Sequence, residues 1–170
     1  MQLVGDRFEQ IARHGAVSGG QEIGYVIVNR PAKSELAMRF TIDRIDHLVL
    51  NVKDVEITAA WYQRVLGMER EEFGAANRTA LKFGGQKINV RPSGTDARAW
   101  VTGANDAYGT ADLCFITAVG PEDVIAHLHE CGVAILNGPV ERAGALGPMQ
   151  SVYCRDPDGN LIEIATYLQR

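Results

Sequence analysis

The sequence has no cluster of lysine and arginine that could follow a phosphate backbone: its 17 basic and 21 acidic side chains are dispersed, the net charge is -4 and the pI is near 5.6. No nucleic-acid partner is expected. It also lacks any apolar stretch approaching the roughly 20 residues that a membrane span requires. Residues 1–40 show no basic start followed by an apolar block of the secretory type. These absences predict a soluble, cytoplasmic protein with no membrane partner. Cysteine is scarce, and Cys114, Cys131 and Cys154 include no CxxC pair. An odd set at such spacing argues against a disulfide framework or a zinc knuckle and for reduced thiols in a packed interior.

What is present suffices for one domain. Apolar residues make up 46% of 170, and a chain of this size removes about two-thirds of its unfolded surface from water. Residues 1–42 mix charges, a Ser-Gly-Gly break and one short apolar patch from Tyr25 to Val28, without sustained period. They read as an N-terminal extension, disordered or foreign to the natural product, since Met38 stands directly before the first strong strand signal.

From Ile45 the pattern sharpens. "IDHLVLNV" reads as a strand and "DVEITAAWYQRVLG" as a helix, with Asp54 suited to the N-cap, Val55, Ala59, Tyr62, Val65 and Leu66 at helical spacing, and Gly67 suited to a left-handed C-cap. "MEREEF", "TALKFG" and "QKINVR" follow as strands, so module one, residues 43–92, is βαβββ. After a Gly, Ala and Ser-rich connection, module two, residues 110–168, repeats the order. "ADLCFITA" is its strand and "PEDVIAHLHECG" its helix, with Pro121 at the first position and Gly132 at the end. "VAIL", "MQSVYCR" and "NLIEIAT" are its closing strands. His47 precedes Gly67 by 20 residues and Asp112 precedes Gly132 by 20, which aligns the modules at an offset of 65. The last strands align at 74, with Ile88–Val90 over Ile162–Ile164, and the extra residues fall in a loop around "NGPVERAGALGPMQ".

These offsets pair polar residues that interrupt apolar strands: His47 with Asp112, and Asn89 with Glu163. If the modules pack with pseudo-twofold symmetry, equivalent inward positions converge, and His47, Asp112 and Glu163 meet in one cavity. An imidazole and two carboxylates on rigid strands suit a divalent metal, Mn²⁺, Fe²⁺, Ni²⁺ or Zn²⁺, with positions left for water and substrate. Asn89 adds a weak carbonyl ligand or a hydrogen bond to a metal-bound water. Asn51, Arg91 and Tyr153 are further pocket candidates, Arg91 and Arg142 as holders of an anionic substrate. Set against this, each such residue alone is more often solvated or a satisfied hydrogen-bonder, and Trp61 and Tyr62 read as helix packing. His127 and His129 read as a solvated helix face, and His14 lies in the extension.

At these residues the sequence resembles the vicinal oxygen chelate superfamily, which contains glyoxalase I, extradiol ring-cleaving dioxygenases, fosfomycin-resistance transferases and bleomycin-binding proteins. The resemblance covers about residues 43–168. "IDHLVLNVKDVEITAAWYQRVLGM" is similar to the family's first strand and helix, and "YCRDPDGNLIEI" to its closing hairpin. "FGGQKINV", "ADLCFIT", "GPVERAGALGPM" and "RDPDGNLIEI" most resemble the glyoxalase domain-containing protein 5 branch, whose bacterial members include virulence-associated proteins. The resemblance implies an α+β, glyoxalase-like fold, two paired βαβββ modules forming an open metal-binding cup, and a homodimer. His47 matches the family's first-strand histidine and Glu163 its last-strand glutamate. Asp112 stands where a histidine or another ligand is usual, and Asn89 where glyoxalase I has a second glutamate. Only Glu163 is then left as a base, because an amide takes no proton at neutral pH. Asn51 stands where glyoxalase I places a glutathione-binding arginine, which argues against the glutathione hemithioacetal as substrate. The expected activity is metal-dependent proton transfer of lyase or isomerase type on a small substrate with vicinal oxygens. The alternatives are an Fe²⁺ extradiol-type dioxygenase and a metal-free binding or resistance protein.

Overall fold

The structure, a computed structural model, describes residues 40–168. The expectations for the N-terminal extension, including the Tyr25 to Val28 patch and His14, lie outside the described residues. Among the described residues, every strand and helix lies in the unit that starts at Arg44.

The first module consists of β1 (His47–Val52), α1 (Val55–Leu66), β2 (Glu69–Phe73), β3 (Arg78–Phe83) and β4 (Gln86–Pro92). The second consists of β5 (Asp112–Ile116), α2 (Pro121–Glu130), β6 (Ile135–Gly144), β7 (Gly147–Arg155) and β8 (Leu161–Tyr167). Each forms a four-stranded mixed sheet, ordered β1-β4-β3-β2 and β5-β8-β7-β6, so β1 and β5 are terminal strands. The protein is therefore α+β, with two βαβββ modules. The helix signals act as read: the Asp54 side chain accepts from the Ile57 amide at 2.9 Å, and Gly67 closes α1 at φ 64°. Among the described residues no helix is long and apolar enough to cross a membrane.

One stretch departs from the sequence reading. β6 is not confined to "VAIL", and the inserted residues are not a loop: they extend β6 and β7 into a long hairpin paired from Val140↔Ser151 to Gly144↔Gly147. Glycine and Pro139 disguise the strand. Proline is tolerated there because β6 is the outer strand of its sheet, and the ladder shifts register on either side of Asn137.

Leu50, Val52, Leu81, Ile88 and Val90 from one sheet join Val152, Cys154, Ile162 and Ile164 from the other, with Tyr62, Val65 and Leu128 of the helices, in a single core. Phe83 meets Phe115 edge to face at 5.3 Å. The "DPDG" turn ties the modules together. The buried Tyr62 hydroxyl donates to Asp156 at 3.0 Å, while Asp158 accepts from the Lys53 amide and the Thr58 hydroxyl at 3.2 Å each. The modules thus meet through their helix-bearing faces. On the opposite faces of the terminal strands, His47, Asp112, Cys114 and Ile116 are exposed.

Candidate functional site

Strand register decides which polar residues share a face. On the first sheet Val49 pairs with Asn89 and His47 with Lys87, placing His47 and Asn89 on the face turned away from the core. On the second, Cys114 and Tyr153 both pair with Glu163, two residues from the exposed Asp112 at the start of β5. Asn89 is 7% exposed, and its Oδ1 has no hydrogen-bond partner; Glu163 Oε1 and Ser151 Oγ are buried and unpartnered as well. An unpaired buried acceptor costs about 1–3 kcal/mol, so such atoms call for a partner.

The three expected metal ligands do not meet in one chain. Among the described residues no group of three His, Cys, Asp or Glu side chains comes together in a way that could hold a metal ion. The polar faces do not turn toward each other, because the shared apolar core occupies the space between the sheets. Asp112 and Glu163 share one face; His47 lies on the other sheet with Asn89.

Each half is nevertheless arranged for chemistry. His47 Nδ1 lies 2.9 Å from Asp46 Oδ1, and this hydrogen bond, acting first, holds the Asp46 carboxyl below its usual range. A histidine tied at Nδ1 presents Nε2 to a ligand. Around Glu163, burial first and the Glu163 carboxylate second push the Cys114 thiol up to about 11, and in the same order they raise the Tyr153 phenol. Arg142 Nε donates to the Tyr153 hydroxyl at 3.2 Å, with the guanidinium 5.6 Å from the ring centroid. Tyr153, which pairs with Glu163 across the strands, is thus tethered by Arg142. Cys114, assigned to the interior by the composition argument, is exposed on the Glu163 face; strand alternation with Asp112 was the signal for it.

Arg91 and Asn51 have a different office from the one expected. Arg91 is 1% exposed, its Nη1 donates to Asn51 Oδ1 at 3.0 Å and to Asp106 at 3.3 Å, and Nε donates to the Trp100 carbonyl at 3.3 Å. Nη2 donates to the Thr95 carbonyl. These bonds fasten the connection between the modules to the first sheet and occupy four of the five N–H donors of Arg91, on a side chain that is almost fully buried. The fastened connection carries Arg98 and Trp100 into a cavity of about 500 Å³ beside His47 and Asn89. Nothing in its Gly, Ala and Ser-rich sequence announced that role. Trp61 and Tyr62 pack in the core as read. His127 is more than a solvated residue, with Nε2 3.0 Å from the Val65 carbonyl oxygen of α1.

With this geometry in view, residues 44–164 match the model of the Glyoxalase/Bleomycin resistance protein/Dioxygenase superfamily. The chain belongs to that superfamily. Within it, this glyoxalase-superfamily protein is 45% identical to virulence protein STM3117 of Salmonella typhimurium over 136 residues, covering 80% of this chain and 92% of the relative. It is 40% identical to the glyoxalase domain-containing protein RDO1 of Mycosarcoma maydis over 139 residues, 81% of this chain and 76% of the relative. Among solved structures, an integron cassette protein from the mobile metagenome of V. cholerae superimposes with a TM-score of 0.72 at 47% identity, over 76% of this chain and 98% of that one.

Proposed function

We propose that this glyoxalase-superfamily protein is a metal-dependent enzyme that moves a proton on a small substrate with two neighbouring oxygens, and that each site is shared between two copies of the chain. His47 and Asn89 come from one copy, Asp112 and Glu163 from the other. The observation that carries this reading is the pair of buried, unpartnered acceptors at repeat-related positions, Asn89 Oδ1 and Glu163 Oε1, on separate outward faces. Three further features support it. Among the described residues β1 and β5 are terminal strands, and a terminal strand favours pairing with another strand. The faces are complementary in charge, with Arg78, Lys87 and Arg98 beside His47 and with Asp112 beside Glu163. Val101 and Ile116 are exposed apolar residues beside these groups. A twofold pairing of this kind makes two equivalent sites.

The donor set, one imidazole and two carboxylates, fits Mn²⁺, Fe²⁺, Ni²⁺ or Zn²⁺. His47, Asp112 and Glu163 would hold such an ion, which would supply Lewis-acid chemistry when bound. Glu163 takes the proton, beside its cross-strand partner Tyr153, which Arg142 tethers. Asp46 keeps His47 Nε2 available. Asn89 is no base, but its Oδ1 accepts a hydrogen bond from a substrate hydroxyl. The free thiols at Cys114, Cys131 and Cys154 support a reducing, cytoplasmic setting.

The test is metal content in mixed dimers. His47→Ala and Glu163→Ala chains, purified separately, are expected to lose the ion, while a mixture refolded together regains a fraction of it, because one site per mixed dimer keeps both native halves. No recovery on mixing, with the wild type loaded, overturns the shared site. No ion in the wild type under titration with the four metals overturns the metal-dependent reading and moves the metal-free binding protein to first place.

A further inference from the structure

The cavity on the outward face of the first sheet measures about 500 Å³, and His47, Asn89, Arg78, Lys87, Arg98 and Trp100 are the side chains of its lining that bear on its chemistry. Its lining includes three permanent cations and no carboxylate. None of the three forms an ion pair with another described residue. Two of them are held in place by other means. The Arg78 guanidinium donates to the Ala99 carbonyl at 2.6 Å and lies 4.2 Å from the Trp100 ring centroid; Lys87 Nζ stands 4.0 Å above the Phe73 ring. Fixed like charges around one opening raise the local concentration of counter-ions and repel one another until an anion arrives. Independently, Asn89 is more than nine-tenths buried, lines the same cavity and has an Oδ1 with no donor.

We propose that this cavity is the anion subsite for the substrate, which is a small hydroxy acid or its phosphoryl counterpart. Its anionic group sits among Arg78, Lys87 and Arg98, Trp100 forms a wall, and its hydroxyl donates to Asn89 Oδ1. The inference rests on the proposed site for where the chemistry occurs, but the cavity is built by one chain and needs no metal to bind an anion. The role expected of Arg91 thereby passes to Arg78 and Arg98, which have donors free to face a ligand.

Trp100 provides the readout, because the other tryptophan, Trp61, is buried in the core. Full-length protein treated with EDTA is titrated with mandelate, with phenyl phosphate and with mandelamide, which keeps the shape of mandelate without its charge. Both anions are expected to change tryptophan emission saturably, the change being lost in Trp100→Phe, while mandelamide has no effect. The tighter of the two anions identifies carboxylate or phosphoryl as the source of charge. Lys87→Ala combined with Arg98→Ala is expected to weaken both by about tenfold or more, since charge-assisted bonds to oxyanions are among the stronger polar contacts. Asn89→Ala is expected to weaken mandelate and spare phenyl phosphate, which has no neighbouring hydroxyl. Equal binding of mandelate and mandelamide, no binding of either anion, or an unchanged double variant overturns the proposal. A protein that binds the anions but takes up no metal keeps this subsite and loses the proposed chemistry; one that takes up metal but ignores the anions does the reverse.

Discussion

The two sheets have the same strand order and opposite chemistry. The offset that aligns Asn89 with Glu163 also aligns Arg91 with Ala165, both 1% exposed. In the first module that position carries a buried guanidinium that pins the inter-module connection across the sheet and builds a basic cavity. In the second it is a methyl group, no described segment covers the sheet in the same way, and its outward face presents Asp112, Cys114 and Glu163. A repeat conserves what packs against the helices, where each apolar residue has many neighbours and little latitude. It is free to diverge on the other face, and here the divergence leaves a basic cavity on one half and carboxylates on the other.

The largest test of that division is Glu163→Gln set beside Asn89→Ala. If only the second sheet supplies a base, Glu163→Gln is expected to lower turnover by about 10²–10⁴-fold, the usual contribution of a positioned general base. Asn89→Ala is expected to act chiefly on KM, through a lost hydroxyl contact. Steady-state kinetics on an identified substrate measures both. Full turnover by Glu163→Gln would remove the base from the second sheet and the mechanism with it.

Next in size is Arg91→Met. The change deletes the guanidinium but keeps much of the packing volume, leaving the Asn51 amide oxygen and the Thr95 and Trp100 carbonyls short of a donor. A destabilisation of about 3 kcal/mol is expected, read from the urea midpoint at constant slope. A loss below about 1 kcal/mol would mean that the connection is held by other contacts and that the two sheets differ less than the burial of Arg91 implies.

Local sequence shows some of these features and hides others. Asp54 and Gly67 mark α1 because capping depends on neighbours within one turn, and the repeat emerged from spacing alone. His47, Asn89, Asp112 and Glu163 were legible as interruptions of apolar alternation. Their distribution was not, because alternation assigns a residue to a face without saying which face meets which module. The β6–β7 hairpin was hidden by Gly138 and Pro139, residues that usually break strands but are accommodated at an edge with a shifting register. The basic cavity was hidden more deeply. Arg78 and Lys87 lie on the paired strands β3 and β4, and Arg98 joins them because Arg91 fastens a connection that reads as a linker.

The smallest expected effect concerns Cys114, which occupies the position of Val49 under the module offset and is the one thiol on the Glu163 face. Burial and the neighbouring carboxylate push it up to about 11. A raised thiol pKa keeps the neutral form at physiological pH, and at pH 8 only about one thiol in a thousand would be thiolate. Since the residue is exposed, slow alkylation at that pH would be chemical rather than steric in origin. The rate of iodoacetamide labelling at the Cys114 peptide, followed by mass spectrometry, should climb about tenfold per pH unit and level off near pH 11. Glu163→Gln removes the like charge but not the burial, so the pKa should fall only in part and labelling at pH 8 should quicken a few-fold. An unchanged rate would mean that burial alone sets the thiol, and that the carboxylate assigned to proton transfer does not electrostatically govern the face on which it stands.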